Sequence, residues 1–278
     1  MKENRNVMNS LLACGVGLAM ISSLAAQTPT DVGATVIFIK GPARFSLGNN
    51  NWQPLRVGDV LKAGAVIQTG KEDSYVDLAL GDSGFIARPV SYKPTIPSST
   101  SAYLPPVGSS QNLIRIWENS AMAIDKLTSM QTGADTVSDT ELDLKAGHMS
   151  GIVKKMSAAS RYEIKIPSGV AGIRGTSYNL WATGLFQIGD GSGALAYTDS
   201  QGAVQTKNLG PGQQCSSTGS DQGVLGPVPP GDMQRLRDTT RDLGTHTPGG
   251  HGGENGPGQL QAGDTSHPGV YDGTPGHE

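Results

Sequence analysis

The chain reads as an all-β protein: an irregular solenoid-like or sandwich-like domain of short strands, then a Gly/Pro-rich tail with one short helix. Three observations predict this. Apolar and polar residues alternate over short runs, Gly-containing turns cut those runs, and no comparably long run of period 3.6 interrupts Ala34 to Gln214.

In chain order, residues 1–26 read as a signal peptide. Lys2 and Arg5 give a positive start, Leu11 to Ile21 is apolar, and Ser23-Leu24-Ala25-Ala26 offers small residues for cleavage. An apolar run of ~11 residues is too short to span ~30 Å of hydrocarbon. Cleavage there removes Cys14 and leaves Cys215 alone, so no intramolecular disulfide is expected. Cys215 then reads as an incidental thiol ahead of the tail, with pairing between chains as the alternative.

The strands follow. Thr35-Val36-Ile37-Phe38-Ile39 is a β-rich run, and Tyr75 to Leu80 places Val76, Leu78 and Leu80 on one face. Arg161 to Ile166 alternates most cleanly, with Tyr162, Ile164 and Ile166 inward and Arg161, Glu163 and Lys165 toward water. Asp199-Ser200-Gln201-Gly202 reads as a hairpin turn. Leu-Lys-Ala-Gly occurs at Leu61–Gly64 and Leu144–Gly147, with looser Leu-x-x-Gly copies at Leu55–Gly58 and Leu209–Gly212. An inward Leu followed by a corner Gly suits stacked β-coils, and the repetition suggests two related β halves. The spacing is too irregular for a fixed-period solenoid.

Residues 93–111, with Pro94, Pro97, Pro105 and Pro106, read as an exposed loop, because proline cannot donate to a central ladder. From residue 215 to 278 the composition becomes low-complexity. Roughly a third of the residues beyond Cys215 are Gly or Pro, above the ~25–30% that marks such segments. A helix is expected over 233–243, with Gly231-Asp232 as its cap, Met233, Leu236 and Leu243 on one face, and Gly244 as its stop. On this reading everything after Cys215 is dispensable for the β fold.

The stretch Tyr162 to Thr176 is similar to the signature of the FecR domain, with Ile173-Arg174-Gly175-Thr176 as the most specific block. Gly58-Asp59-Val60-Leu61, Gln68-Thr69-Gly70 and Tyr75–Leu80 resemble the family's opening half, and Phe186–Gln214 resembles its end. The resemblance thus spans residues 34–214. The family's prototype is a single-pass inner-membrane regulator that controls a sigma factor and receives a signal from an outer-membrane receptor. This chain is expected to lack both the cytoplasmic regulatory segment and a folded docking domain after Gln214. What the resemblance implies is a β domain of the periplasm or cell surface with an envelope protein or polysaccharide as partner. A truncated member of a cell-surface signalling system is the alternative.

The signature also has an architectural reading. Gly169, Gly172 and Gly175 permit turns that a Cβ would penalise. Between them Arg174 is expected to turn inward and bond several carbonyls, beside Ile173 and with the hydroxyl of Thr176 holding the next turn.

Catalytic, metal and nucleotide chemistry find no support. Gly81-Asp82-Ser83-Gly84 resembles a serine-protease nucleophile turn, but His148 is the only β-region histidine and Phe85 stands where a second Gly belongs. Gly169–Gly175 lacks a phosphate loop's Gly-Lys-Ser/Thr ending, and Gly189–Gly193 lacks a calcium loop's terminal Glu. The other histidines, His246, His251, His267 and His277, lie in the tail without ligand spacing. A net charge of −3 excludes a general nucleic-acid surface. Trp52, Trp117 and Trp181 read as core or groove packing, with a sugar-stacking platform as the alternative. No cofactor and no enzyme activity are expected, and no second apolar segment suggests a membrane span in the mature chain.

The export reading has a direct check. The mature protein is expected to begin near Ala26 or Gln27, and mass spectrometry of the native protein showing an intact Met1 end overturns it.

Overall fold

The computed structural model describes residues 28–48, 51–71, 73–81, 111–133 and 135–246. The signal peptide, nearly all of the 93–111 loop and the tail after His246 lie outside them. The first strands are β1 (Thr30–Asp31), β2 (Ala34–Lys40), β3 (Ala43–Ser46), β4 (Gln53–Pro54), β5 (Val60–Leu61), β6 (Val66–Thr69) and β7 (Tyr75–Leu80). The middle of the chain supplies β8 (Asn112–Ile116), β9 (Ala121–Thr132), β10 (Asp135–Ala146), β11 (His148–Ile152), β12 (Arg161–Ile166) and β13 (Gly169–Arg174). Then come β14 (Ser177–Trp181), β15 (Leu185–Ile188), β16 (Ser192–Thr198), β17 (Val204–Leu209), β18 (Gln213–Ser216), β19 (Gly226–Pro227) and helix α1 (Pro230–Thr245).

These strands form two open sheets over one apolar core. The first runs β17-β16-β13-β12-β10-β9-β6-β3-β4, with β1 beside β9. The second runs β19-β18-β15-β14-β11-β8-β7-β2-β5. From β7 onward the chain lays pairs of strands alternately in the two sheets, with β11 a single strand. Because β11 lies in the opposite layer, β10 and β12 return parallel to each other, whereas the other pairs are antiparallel hairpin or neighbour contacts. The all-β expectation holds, and the arrangement is a sandwich whose chain path coils between layers.

The core follows from strand periodicity. Tyr162, Ile164 and Ile166 are buried while Arg161 and Lys165 stay exposed. They share a core with Leu142 and Ile124 of the same sheet and with Tyr178 and Phe186 of the facing one. Corners between the sheets use Leu-x-x-Gly. Leu55, Leu61, Leu144 and Leu209 are buried, and Gly58, Gly64, Gly147 and Gly212 each have positive φ. At Gly147 an added Cβ would also collide with Ser120. The Leu seals the core edge, and the Gly takes a backbone conformation that a side chain would strain.

The Leu-Lys-Ala-Gly copies mark corners between two sheets that share one core. One expectation changes. The β fold continues beyond 214. Cys215 is buried within β18, opposite Phe186, and α1 spans Pro230–Thr245 instead of 233–243. Its cap is Pro229 with Pro230 in the first turn, because a fixed φ near −65° suits the first helical position. Composition hid this, since Gly and Pro here serve turns and a helix start.

The helix lies on the outer face of the second sheet. Leu243 packs on Ala79 and Leu113, with Ile37 and Ile152 beside them. Leu236 is also buried, against Gly189, where a Cβ would stand 3.0 Å from its Cδ2. Leu243→Ala should cost ~2–4 kcal/mol, within the range for truncating a buried Leu, as read from urea denaturation. A chain ending at Ser216 should melt well below the full mature chain. Melting within a few degrees would show that the helix contributes little.

Candidate functional site

The signature residues sit on β13 and the corner after it. Ile173 points into the core, so the pleat of the strand turns the next residue, Arg174, outward. Arg174 is exposed and donates one bond, Nη2 to the Ser157 carbonyl at 3.3 Å. The expected inward guanidinium is therefore corrected. Gly175 takes the corner with φ of +57°, and Thr176 is buried, its hydroxyl donating to the Ser177 carbonyl at 2.8 Å. Gly169 is required by close approach, since a Cβ would lie 2.2 Å from the Ala196 carbonyl oxygen. Gly172 has negative φ and open space beside it, so nothing in the structure explains a glycine there.

The chemically dense region lies elsewhere, on the outer face of the second sheet. Strand register aligns three rows of side chains across it. The polar row pairs Asp77 with Arg115, Arg115 with Ser150, Ser150 with Asn179, Asn179 with Gln187, and Gln187 with Gln214. One pleat away in one direction lies the apolar row of Ala79, Leu113 and Ile152. One pleat away in the other lies an aromatic row of Tyr75, Trp117, His148 and Trp181.

Arg115 anchors the polar row. Its guanidinium grips Asp77 through two bonds of 2.7 Å, and its Nη2 also donates to Asp242 of α1 at 2.7 Å. The Asp77 side chain is 0% exposed and that of Arg115 4%. Burial lowers the affinity of Arg115 for its proton, but the bonds to Asp77 and Asp242 outweigh it and leave the pKa raised. The ring of Tyr75 lies 3.9 Å from the guanidinium carbon. His246, just past the helix, donates Nδ1–H to Asp77 at 2.7 Å and stacks on Phe38 with centroids 3.9 Å apart. At the other end Gln187 donates to Asp232 at 3.0 Å. From Asp232 to Asp242 the helix rises roughly 15 Å at ~1.5 Å per residue. The three strand spacings from β15 to β8 cover about the same distance at ~4.8 Å each, so α1 crosses the strands with one acidic residue at either end.

In the aromatic row, neighbouring centroids are 5.3–5.8 Å apart. His148 lies between Trp117 and Trp181 with ring planes within 11° of parallel. Both faces of His148 are thus covered by the two tryptophans, whereas Tyr75 is tilted by 55° to Trp117. Trp52 lies apart, under Arg44 at 4.6 Å. Burial lowers the pKa of His148, so the neutral ring is favoured. No group of three or more metal-ligating side chains occurs among the described residues. The arrangement is suited to holding a helix and presenting a row of half-buried rings beside it.

Sequence reasoning missed Asp77, Arg115, Asp242 and His246. A partial signal existed: Asp77 and Arg115 are single charges within the apolar runs Tyr75–Leu80 and Leu113–Ile116. Asp77→Ala strands a buried guanidinium and should cost ~3–5 kcal/mol. Arg174→Ala, at an exposed position, should stay within ~0.5 kcal/mol of the wild type. Thermal and urea unfolding of both variants check this, and a reversed order would refute the assignment of Arg115 as the internal anchor.

Comparison with known proteins places residues 107–204 under the family model described as FecR protein. This is narrower than the 34–214 span of the sequence resemblance, and it takes in β8 to β16 with Arg115, Trp117, His148 and the whole signature. No curated protein matches the chain. Two crystal structures of a candidate anti-sigma factor from Parabacteroides distasonis ATCC 8503, at 2.50 and 1.65 Å resolution, are similar at 11% identity and a TM-score of 0.31. They cover 43% of this chain, which spans about half (53%) of theirs. Over residues 107–204 the chain is thus similar to a FecR domain.

Proposed function

We propose that this chain is a non-enzymatic bacterial envelope protein whose FecR domain binds a protein partner in cell-surface signalling. The FecR match over residues 107–204 carries the reading. The signal-peptide pattern of residues 1–26 supports an exported location. No helix among the described residues is long and apolar enough to cross a membrane. The face supporting partner contact is the aromatic row beside α1, where Tyr75, Trp117, His148 and Trp181 are half-buried. Aromatic side chains with an apolar body and a polar tip are enriched in protein interfaces.

Transcript profiling tests the reading in the native host. A strain lacking the gene should change a discrete set of transcripts, restored by the wild-type gene and not by one encoding Trp181→Ala. Trp181 ends the ring stack, so the variant protein should keep its melting temperature. An unchanged transcript profile would favour the other reading, an envelope scaffold without a signalling role.

A further inference from the structure

The space between the sheets does not stay apolar along its length. On β10 the inward positions alternate, and they run from Leu144 and Leu142 to Thr140 and Ser138. On β9 the inward Leu127 is followed by Ser129. There the hairpin of β9 and β10 reaches past the end of the second sheet, and the layers part into a cleft of about 450 Å³. That volume falls in the ~300–1,000 Å³ range of small-molecule sites. The cleft floor keeps apolar side chains, Leu80 and Leu127, while its rim carries Asn112, Lys154 and Lys155.

The lining has more donors than its own acceptors use. Thr140 is 2% exposed, and no side-chain hydrogen bond engages its hydroxyl among the described residues. Asn112 spends its Oδ1 on the Lys154 backbone N–H at 2.9 Å, which leaves its amide N–H groups to donate. Neither lysine ammonium is held by a carboxylate among the described residues. By contrast Arg161, Lys165, Lys126 and Lys145, on the outer face of the first sheet, are all ion-paired. One carboxylate, Asp135, lies on the lining at the hairpin tip, so the lining charge is 2 − 1, a single positive excess. No fully buried side-chain N or O lacks a partner among the described residues, so the unbonded Thr140 hydroxyl opens onto the cleft and is free to bond what fills it.

We infer that this inter-sheet cleft binds a small sugar acid, its hydroxyls facing Thr140, Ser129 and Asn112 and its carboxylate facing Lys154 and Lys155. Ammonium–carboxylate bonds are the strong ones, the hydroxyl-lined wall matches sugar hydroxyls, and the apolar floor receives a C–H face of the ring. The site is separate from the outer face of the second sheet and does not rest on the signalling reading.

Calorimetric titration of the mature full-length protein tests it, with cellobiouronic acid and neutral cellobiose, which differ only in one carboxylate. The acid should bind at least about tenfold more tightly than the neutral sugar. Combined Lys154→Ala and Lys155→Ala should remove that preference. Thr140→Val should weaken both sugars severalfold at unchanged melting temperature, and Thr140→Ser should restore binding. Equal affinity for the two sugars, indifference to the lysine or Thr140 changes, or no binding of the acid by the wild type each overturns the inference. Sugar titration and transcript profiling are independent readouts, so failure of one leaves the other standing.

Discussion

The fold depends on one geometric constraint: a chain passing between two layers must turn sharply without opening the core. Leu-x-x-Gly meets both requirements within four residues. At Leu144–Gly147 the Leu is fully buried at the end of β10, and Gly147, at φ +77°, starts the chain toward β11 in the other sheet. The hydrogen bond from the Ala182 N–H to the Gly147 carbonyl then ties the corner to the end of β14. Because each crossing seals its own edge, the sheets can remain open and still share a single core.

The second layer of organisation is electrostatic. A buried ion pair such as Asp77–Arg115 is weak evidence for stability, since desolvation offsets much of the attraction. Its value here is positional. Arg115 has donors to spare after gripping Asp77, and Asp242 takes one of them. Asp77 likewise accepts from His246. The helix is therefore fixed at one end by two polar contacts and at the other by Asp232 on Gln187, while Leu236 and Leu243 supply the apolar burial. A nonpolar helix face could slide along the sheet, whereas these contacts define one position.

The outer face of the first sheet shows the opposite regime. Arg161 faces Asp139, Glu141 and Glu163, and Lys165 faces Asp125 and Glu141. These side chains are partly exposed, and each such pair contributes only ~0–1 kcal/mol. Bonds from Arg161 and Lys126 hold the Asp139 carboxyl below its usual range despite opposition from partial burial. Their collective effect is a face with interleaved charge, which discourages another sheet from stacking there.

The sequence by itself determined the strands, their inward residues and the corners. Alternation in Arg161–Ile166 and the spacing of Leu-x-x-Gly are local, and a period of two dictates which side chains meet the core. It even contained the correct orientation of Arg174, because Ile173 faces inward and neighbours on a strand point to opposite sides. Reading the glycines as coil turns obscured that. Tertiary structure alone decided that Asp77 and Arg115, polar residues on an outward face, are buried, because the helix covering them comes from more than 125 residues later in the chain. It also decided that Cys215 belongs to a sheet and that Tyr75, Trp117, His148 and Trp181 form one row. Burial of an outward face and cross-strand register depend on which segments meet, and no local pattern of side chains specifies a partner so distant in the chain.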